Sequence, residues 1–144
     1  MRSMRVHAER EEEFPGIGPT EQAMALILVV EDDPANQELV SPFLRREGHA
    51  VLQAMDGAAG VRTARERNPD LIFMDLGLPI MDGWEAIRRI RANPETAHIP
   101  IVALTAHSGS DDVLKAIEAG VDAYETKPVV YQRLMNKIAT FVKS

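Results

Sequence analysis

Acidic residues that directly follow apolar runs are the first feature of this sequence that could do chemistry. The stretch LILVVEDDPAN places Glu31 and Asp32 after one apolar run, and LIFMD places Asp75 at the end of another. Neighbouring carboxylates repel one another and are costly to desolvate, so a positive charge is expected among them. Oxygen ligands grouped in this way suit a hard divalent cation, and Mg²⁺ is the expected ion. The alternative is a set of exposed loop carboxylates without an ion.

A hydroxyl and an ammonium near the ends of two later apolar runs add complementary groups. The run IPIVALT ends with Thr105, and ETKP carries Lys127 just before a proline. Phosphoryl transfer requires that the spreading negative charge be neutralised and that the acceptor oxygen be positioned. A carboxylate can be the acceptor, because carboxylates form acyl phosphates. A metal, a hydroxyl, an ammonium and a carboxylate together therefore predict a phosphoryl site with Asp75 as the acceptor.

Five apolar runs alternate with stretches of helical spacing from Met24 onward. The predicted strands cover residues 25–30, 50–54, 70–75, 99–105 and 122–126, and the predicted helices cover residues 34–47, 57–67, 83–92, 111–119 and 130–142. Continuously apolar strands that alternate with helices predict a parallel sheet covered by helices on both faces. Ligands of such a sheet collect at the carboxyl ends of the strands, which is where the acids, the threonine and the lysine lie.

The helical spacing also predicts which side chains face the core. The predicted buried faces are Leu39, Val40, Phe43 and Leu44 in the first helix, Ala58, Val61 and Ala64 in the second, Trp84, Ile87 and Ile90 in the third, Val113, Leu114 and Ile117 in the fourth, and Leu134, Ile138 and Phe141 in the last. Asp33 precedes Pro34 and is predicted to be an N-cap. Pro42 falls inside the first helix and is expected to kink it, because it removes a backbone hydrogen bond.

The composition limits the classes of function. A chain of 144 residues, 45% apolar and 26% charged, fits one domain with one core. A net charge of −6 argues against a nucleic-acid surface, and the absence of cysteine excludes disulfides and thiolate catalysis. No apolar run approaches the roughly 20 residues of a membrane helix. No secretory leader opens the chain, so a cytoplasmic location is expected.

Residues 1–23 show no sustained apolar period, and we expect a flexible extension followed by one domain over residues 24–144. A docking arm anchored by Phe14 and Ile17 is the alternative reading of this extension. No second domain is expected after the last helix.

Four motifs, ILVVEDDPAN, LIFMDLGLPIMDGWE, IPIVALTA and GVDAYETKP, resemble those of response-regulator receiver domains from two-component signalling. The resemblance extends over about residues 25–143. It implies a flavodoxin-like, doubly wound sheet of five parallel strands in the order 2-1-3-4-5, with five helices. It also implies a stand-alone switch controlled by phosphorylation, which promotes its own phosphorylation and dephosphorylation but is not otherwise an enzyme.

The resemblance assigns roles to the acidic residues. Asp75 would accept a phosphoryl group from a phosphohistidine on a sensor histidine kinase or a histidine phosphotransfer protein. Mg²⁺ would be bound directly by Asp32, Asp75 and the backbone carbonyl of Gly77, while Glu31 would act through a bound water.

The resemblance also assigns switch residues. Lys127 and Thr105 would bind the phosphoryl oxygens. Tyr124 matches an aromatic residue that swings inward in such domains, and the alternative is a strand tyrosine that packs on the sheet. Gly77 and His107 occupy positions that could tune dephosphorylation: Gly77 lacks a shielding side chain, and His107 could hydrogen-bond an attacking water or simply be a loop histidine.

The output is expected on the fourth helix, the fifth strand and the fifth helix, where an unidentified downstream protein would bind. No nucleic-acid or membrane partner is expected. A homodimer through the last helix is a further expectation, although core packing would explain most of its apolar residues, which are Leu134, Met135, Ile138, Phe141 and Val142.

Two other functions compete with this interpretation. A phosphatase of the haloacid dehalogenase type also combines a strand-end aspartate with a later threonine and lysine, but it needs a second acid two residues after the nucleophile. The residue at that position is Gly77. A receiver-like interaction module that works without phosphorylation is the second rival, although such modules usually lose a central site residue.

Overall fold

The computed structural model describes residues 24–78, 81–106 and 110–142, which form five strands and five helices in strict alternation. The strands are β1 (Leu26–Val30), β2 (Ala50–Ala54), β3 (Leu71–Asp75), β4 (Ile101–Thr105) and β5 (Ala123–Thr126). The helices are α1 (Pro34–Arg46), α2 (Gly57–Arg67), α3 (Gly83–Ala92), α4 (Ser110–Ala119) and α5 (Tyr131–Phe141). The predicted elements are therefore confirmed, with boundaries that shift by one or two residues.

All neighbouring strands are parallel, and their order is β2-β1-β3-β4-β5, as expected. The chain leaves β1 first to one side and then to the other, so the strand order reverses between β1 and β3. Asp75 lies opposite Leu104 in the register, and Thr105 lies opposite Thr126. The last residues of β3, β4 and β5 therefore lie at one edge of the sheet, next to the point where β1 ends.

The core lies on both faces of the sheet. Leu28, Val30 and Met74 belong to a cluster on the face covered by α2, α3 and α4, whereas Val29 and Phe73 belong to a cluster covered by α1 and α5. Because alternate side chains of β1, β3 and β4 point to opposite faces and both faces are covered, every residue of these strands is buried.

The prediction that β5 is a buried strand was wrong. None of its residues is fully buried, and Tyr124 is 41% exposed. The reason is its position, because β5 is an edge strand that pairs only with β4.

The predicted buried face of α1 was partly wrong. Leu39 is 55% exposed, whereas Gln37 and Ser41 are buried together with Val40 and Leu44. The buried residues thus have the expected helical spacing, but the buried stripe is rotated around the helix, away from Leu39. Phe43, on the row of Leu39, is half-buried and stacks on Tyr131 of α5, with ring centroids 4.0 Å apart.

The start of α1 agrees with the prediction, because Oδ1 of Asp33 accepts a hydrogen bond from the backbone N–H of Ala35 at 2.9 Å, and Pro34 is the first helical residue. The helix continues across Pro42 to Arg46.

The predicted faces of α2 and α4 also need correction. Ala58 is exposed, and Gly57, Gly60 and Ala64 are the buried residues of α2. In α4, Leu114 and Ile117 are 56% and 55% exposed, whereas Ala116 and Ala119 are buried. Small residues face the sheet because they allow a helix to lie close to it, and the larger apolar residues of α4 are left on the outside.

The last helix uses most of its apolar residues inside the domain. Leu134 and Ile138 are buried, and Phe141 and Val142 pack against the cluster beneath α1 and α5. Met135 is half-buried. The expected homodimer through this helix therefore stays a prediction with little apolar surface of α5 left to support it.

Three of the helices begin with an acidic cap and end with basic residues. Aspartate N-caps begin three helices at the carboxyl edge of the strands, at Asp33, Asp56 and Asp82. Arginines occupy the last turns of the same helices at the opposite edge, at Arg45, Arg46, Arg65, Arg67, Arg89 and Arg91. Both placements suit the helix dipole.

Arg91 fastens the edge of the sheet that carries these arginines. Its guanidinium donates to the carbonyl oxygens of Gly120 at 2.8 Å and Ile99 at 2.6 Å, and to Oδ2 of Asp122 at 2.7 Å. The same Asp122 oxygen accepts the backbone N–H of Ile101 at 2.8 Å. One side chain thus joins the loop before β4 to the loop before β5.

Candidate phosphoryl and metal site

The turn between β1 and α1 presents the acid pair. Glu31 follows the last residue of β1 and is only 2% exposed, whereas Asp32 is exposed to solvent. The backbone N–H of Asp33 donates to Oε2 of Glu31 at 3.2 Å, and Asp33 itself caps α1. Since Asp33 serves the helix, Glu31 and Asp32 are the two acids of this turn that remain for the site.

Asp75 ends β3 and is 4% exposed. Its Oδ1 accepts a hydrogen bond from the backbone N–H of Gly77 at 3.1 Å. The start of α3 packs directly on the backbone behind this carboxylate, because a Cβ on Gly83 would lie 2.4 Å from the carbonyl oxygen of Asp75. The absence of a side chain at Gly83 therefore allows the close approach that holds the acceptor turn in place.

Lys127 brings a positive charge into the acid cluster. Its Nζ lies 2.9 Å from Oε1 of Glu31 and 3.1 Å from Oδ1 of Asp75. Its backbone N–H donates to the carbonyl oxygen of Thr105 at 2.8 Å, which fixes the turn after β5 against the end of β4. The positive charge expected among the acids is thus provided in part by this ammonium, which the sequence reasoning had reserved for phosphoryl oxygens.

Burial and pairing shift the pKa values of two members of the cluster. Desolvation by burial raises the pKa of Glu31, and the negative charge of Asp75 adds to this effect, while the hydrogen bond from Lys127 opposes it. Burial would lower the pKa of Lys127, but its hydrogen bond to Glu31 and the charge of Asp75 outweigh burial, so that its pKa is raised. Lys127 therefore stays an ammonium at neutral pH.

The three acids are close enough to hold a metal ion. One carboxylate oxygen from each of Glu31, Asp32 and Asp75 lies within 4.8 Å of the other two. A set of oxygen ligands that carries net negative charge fits a hard divalent cation. The acids face a cavity of about 360 Å³ whose wall includes Gly77. The same wall contains Asn36, Trp84, Thr105, Ala106 and Lys127.

Thr105 lies where the sequence predicted it, buried at the end of β4 and on the wall of this cavity. One predicted residue is not brought into the site. Tyr124 faces a separate groove of about 570 Å³, which α4, β5 and α5 line and which includes Ile117 and Lys137. His107 lies outside the described residues.

Sequence reasoning missed two residues near the site. Trp84 packs against the core cluster as predicted, but it is half-buried and also lies on the cavity wall, which the sequence did not predict. The Nζ of Lys115 lies 5.5 Å from the centroid of its ring. Gln37, which the helical pattern treated as polar surface, is buried directly below the acid pair. The one sequence signal for its role was its position directly after the DDPAN turn, and a reading based on polarity assigned it to the surface.

The family model of the response regulator receiver domain matches residues 27–139. Protein PilH of Pseudomonas aeruginosa is 35% identical over 115 residues, which cover 80% of this chain and 95% of that protein. The DNA-binding dual master transcriptional regulator RpaA of Synechocystis is 38% identical over 120 residues, or 83% of this chain and 50% of that protein. The chain thus spans about half the length of that transcriptional regulator.

Solved structures show the same fold. The receiver domain of the sensor histidine kinase PA1611 from P. aeruginosa, solved with a magnesium ion coordinated in its active-site cleft, has a TM-score of 0.78. It is 37% identical and matches 83% of this chain and 98% of that chain. In the part of this chain that the structure describes, no helix has both the length and the apolar character needed to cross a membrane. Both the family match and the fold show that the chain belongs to the response regulator receiver domain family.

Proposed function

We propose that this protein is a signalling switch in which a carboxylate oxygen of Asp75 accepts a phosphoryl group from a phosphohistidine. The N–P bond of the donor breaks and an O–P bond to Asp75 forms, and a proton on the other ring nitrogen of the donor allows the imidazole to leave in its neutral form. The observation that carries this proposal is the position of the Lys127 ammonium, 3.1 Å from Oδ1 of Asp75 and 2.9 Å from Glu31. A buried carboxylate beside a fixed cation, in a cavity open to a donor, suits an acceptor of phosphoryl groups.

The other side chains have complementary roles in the proposed transfer. The ammonium of Lys127 neutralises charge on the phosphoryl oxygens, and the hydroxyl of Thr105 donates a hydrogen bond to one of them. The hydrogen bond from the Gly77 N–H to Oδ1 of Asp75 fixes the orientation of the carboxylate before transfer. These groups are held on the ends of strands, so little reorganisation is needed when charge develops.

Mg²⁺ is the proposed ion of the site. Asp32, Asp75 and the backbone carbonyl of Gly77 would hold it directly, and Glu31 would act through a bound water. The ion would supply positive charge that offsets the repulsion between the acids and an incoming phosphoryl group. The grouping of the three carboxylates and the magnesium in the similar PA1611 receiver domain support this choice.

The proposed output is a shift between two arrangements of the domain. A phosphoryl group on Asp75 favours the arrangement in which Thr105 and Lys127 bind it better, and only this difference in binding can move the equilibrium. The surface that would change includes Leu114, Ile117 and Tyr124, whose exposed fractions lie between 41% and 56%. A downstream protein would read this surface, and Tyr124 would move inward from its present groove.

The phosphodonor is proposed to bind beside the cavity, at the start of α1 and the turn before α5. Asn36 of α1 lines the cavity, and Leu39, one turn further along, is exposed. Val130 and Tyr131 follow Lys127 closely and are 46% and 37% exposed, and the hydroxyl of Tyr131 donates to the carbonyl oxygen of Leu39 at 2.9 Å. A sensor histidine kinase or a histidine phosphotransfer protein is the proposed occupant of this apolar surface.

The proposed organisation is an N-terminal extension over residues 1–23 and a receiver domain over residues 24–144 that works in the cytoplasm. A separate downstream protein is proposed to read the output. Gly77 and His107 are the residues proposed to tune the loss of the phosphoryl group.

The test is incubation with Mg²⁺ and acetyl phosphate, followed by intact mass measurement. We expect a gain of one phosphoryl group, no gain without Mg²⁺, and no gain in Asp75→Asn. Asp82→Asn, which changes an exposed helix cap instead, is the matched control and should be phosphorylated like the parent protein. Phosphorylation that persists in Asp75→Asn would contradict the assignment of the acceptor.

Two other functions predict different results. A phosphatase would turn over a generic phosphate ester, and Gly77 argues against it because that position provides no acid. An interaction module independent of phosphorylation would bind its partner equally well before and after treatment with acetyl phosphate.

A further inference from the structure

A buried amide lies directly beneath the acid pair. Gln37 is 3% exposed, and its Nε2 donates to the carbonyl oxygen of Val29 at 2.9 Å and lies 3.3 Å from the carbonyl oxygens of both Glu31 and Ala54. Its Oε1 accepts a hydrogen bond from the hydroxyl of Ser41 at 2.9 Å, and Ser41 is fully buried. Every hydrogen-bonding group of this amide therefore has a partner.

These contacts converge on the residue that starts the acid pair. The backbone N–H of Glu31 donates to the carbonyl oxygen of Ala54 at 3.0 Å, and its own carbonyl oxygen faces the Gln37 amide. Glu31 is thus held through both of its backbone polar groups, one on β2 and one on α1. The chain leaves β1 here, and without such contacts a turn between a strand and a helix can adopt several conformations.

Packing alone does not explain a glutamine at this position. An apolar side chain of similar length would fill the same space, and burying an amide is costly unless its hydrogen bonds are made. Ser41 determines which end of the amide faces the turn, because its hydroxyl donates to Oε1 and leaves Nε2 directed at the three carbonyl oxygens. The pair therefore has a defined orientation, which a filler side chain would not need.

We propose that Gln37, oriented by Ser41, is a positioning residue that holds Glu31 and Asp32 in the geometry needed to bind a divalent cation. This inference rests on the proposed function insofar as the ion serves phosphoryl transfer, but it concerns the binding of the ion itself. Groups that orient ligands from behind typically change metal affinity by about 10- to 100-fold when they are lost.

The test is a titration with Mg²⁺ followed through the fluorescence of Trp84, which is the single tryptophan of the chain and lies on the cavity wall. Gln37→Met keeps the length of the side chain and removes its donors, and we expect its affinity for Mg²⁺ to fall by about tenfold or more. Ser41→Ala should cause a smaller loss, because the amide keeps its donors but loses its fixed orientation.

Val40→Ala is the control for stability. Val40 is buried on the same face of α1 and is an apolar side chain, so this variant should unfold more easily and yet bind Mg²⁺ like the parent protein. Titrations are made at a temperature at which all variants are folded. An unchanged affinity in Gln37→Met, or an equal loss in Val40→Ala, would overturn the proposal.

A second readout needs no ion. Amide hydrogen exchange at residues 31–33 should be faster in Gln37→Met and Ser41→Ala than in the parent protein, and unchanged in Val40→Ala. If Gln37→Met does not fold, Mg²⁺ affinity and hydrogen exchange are both measured in Ser41→Ala. Hydrogen exchange at residues 31–33 that is as slow in Ser41→Ala as in the parent protein would then refute the inference. Failure of the proposed function would look different from failure of this inference. Asp75 of the parent protein would then stay unphosphorylated, while the variants would still differ from the parent protein in Mg²⁺ affinity and hydrogen exchange.

Discussion

The Nζ of Lys127 lies 3.1 Å from Oδ1 of Asp75, and the same ammonium lies 2.9 Å from Oε1 of Glu31. One side chain from the turn after β5 therefore pairs with carboxylates from the ends of β1 and β3. The ammonium competes with a divalent cation for the same carboxylates, whereas it attracts a phosphoryl group. Lys127 should therefore weaken the binding of the ion and assist phosphoryl transfer.

Replacing Lys127 with methionine should separate ion binding from phosphoryl transfer. Removal of the ammonium leaves the acids more negative, so we expect tighter binding of Mg²⁺ in a titration. Phosphorylation by acetyl phosphate should slow on the order of a hundredfold, since a fixed charge-stabilising donor is lost. Lys137→Met is the control, because Lys137 pairs with Glu125 in a different groove. Phosphorylation of Lys127→Met at the parent rate would refute the role of the ammonium.

A side chain at Gly77 should lengthen the life of the phosphorylated form. Among the described residues, a Cβ there would come within 4 Å of Oδ1 of Asp75 alone, at 3.8 Å, so this part of the chain leaves room for a side chain to begin at position 77. In Gly77→Leu the side chain would exclude attacking water, and decay measured by intact mass should be several-fold slower than in Gly77→Ala. Equal decay of the two variants would show that access of water at this position does not limit hydrolysis.

Leu39 should matter for a protein donor but not for a small one. Leu39→Asp should slow transfer from the histidine kinase that acts fastest in a panel by about tenfold or more, as loss of a central interface residue does. Phosphorylation by acetyl phosphate should not change. Leu114→Asp is a matched control, because Leu114 has the same exposure on α4, away from the proposed donor surface.

Pro42 offers a related test on α1. If its place in the helix shapes the choice of kinase, Pro42→Ala should alter the order of transfer rates across the same panel. An unchanged order would exclude such a role.

Arg91 should be important for stability. In Arg91→Met three carbonyl oxygens and Asp122 lose a shared donor, and we expect the free energy of unfolding to fall by about 2–4 kcal/mol in urea titrations. Arg89→Met removes an exposed ion pair with Glu85, and the expected change is within about 0.5 kcal/mol. Similar losses in both variants would contradict the fastening role of Arg91.

Stability should decline on mild acidification because of His49. Its side chain is 2% exposed, and burial lowers its pKa below the ordinary 6.5, although the charge of Glu47 partly opposes this. The unfolded chain then binds the proton more readily than the folded protein, so the free energy of unfolding decreases as the pH falls below 6.5 toward the lowered pKa. The decrease between pH 7.5 and 5.5 should be smaller in His49→Gln, and an identical pH profile would contradict this account.

The apolar runs predicted the edge of the sheet that carries the site, and the resemblance to receiver domains predicted the order of the strands. Glu31, Asp75 and Thr105 each stand at or directly after the end of an apolar run, and parallel strands bring such positions to one edge of the sheet. The pairing of Lys127 with Glu31 could not be predicted, because it depends on how the turn after β5 folds over the end of β1.

The faces of the helices were less predictable for a different reason. The apolar pattern sets the spacing of a buried stripe, but Leu39, Leu114 and Ile117 continue that spacing on surfaces that remain exposed. Gln37 shows the converse: a polar side chain is buried, because carbonyl oxygens at the ends of β1 and β2 accept hydrogen bonds from its amide. A pattern of polar and apolar residues along the sequence does not reveal where such carbonyl oxygens lie.

The aspartate N-caps at one edge of the sheet and the last-turn arginines at the opposite edge give the molecule a charge asymmetry. A partner with a basic surface would be steered toward the edge that carries Asp32 and Asp75. Because salt screens exposed charges, rising ionic strength would make this encounter slower.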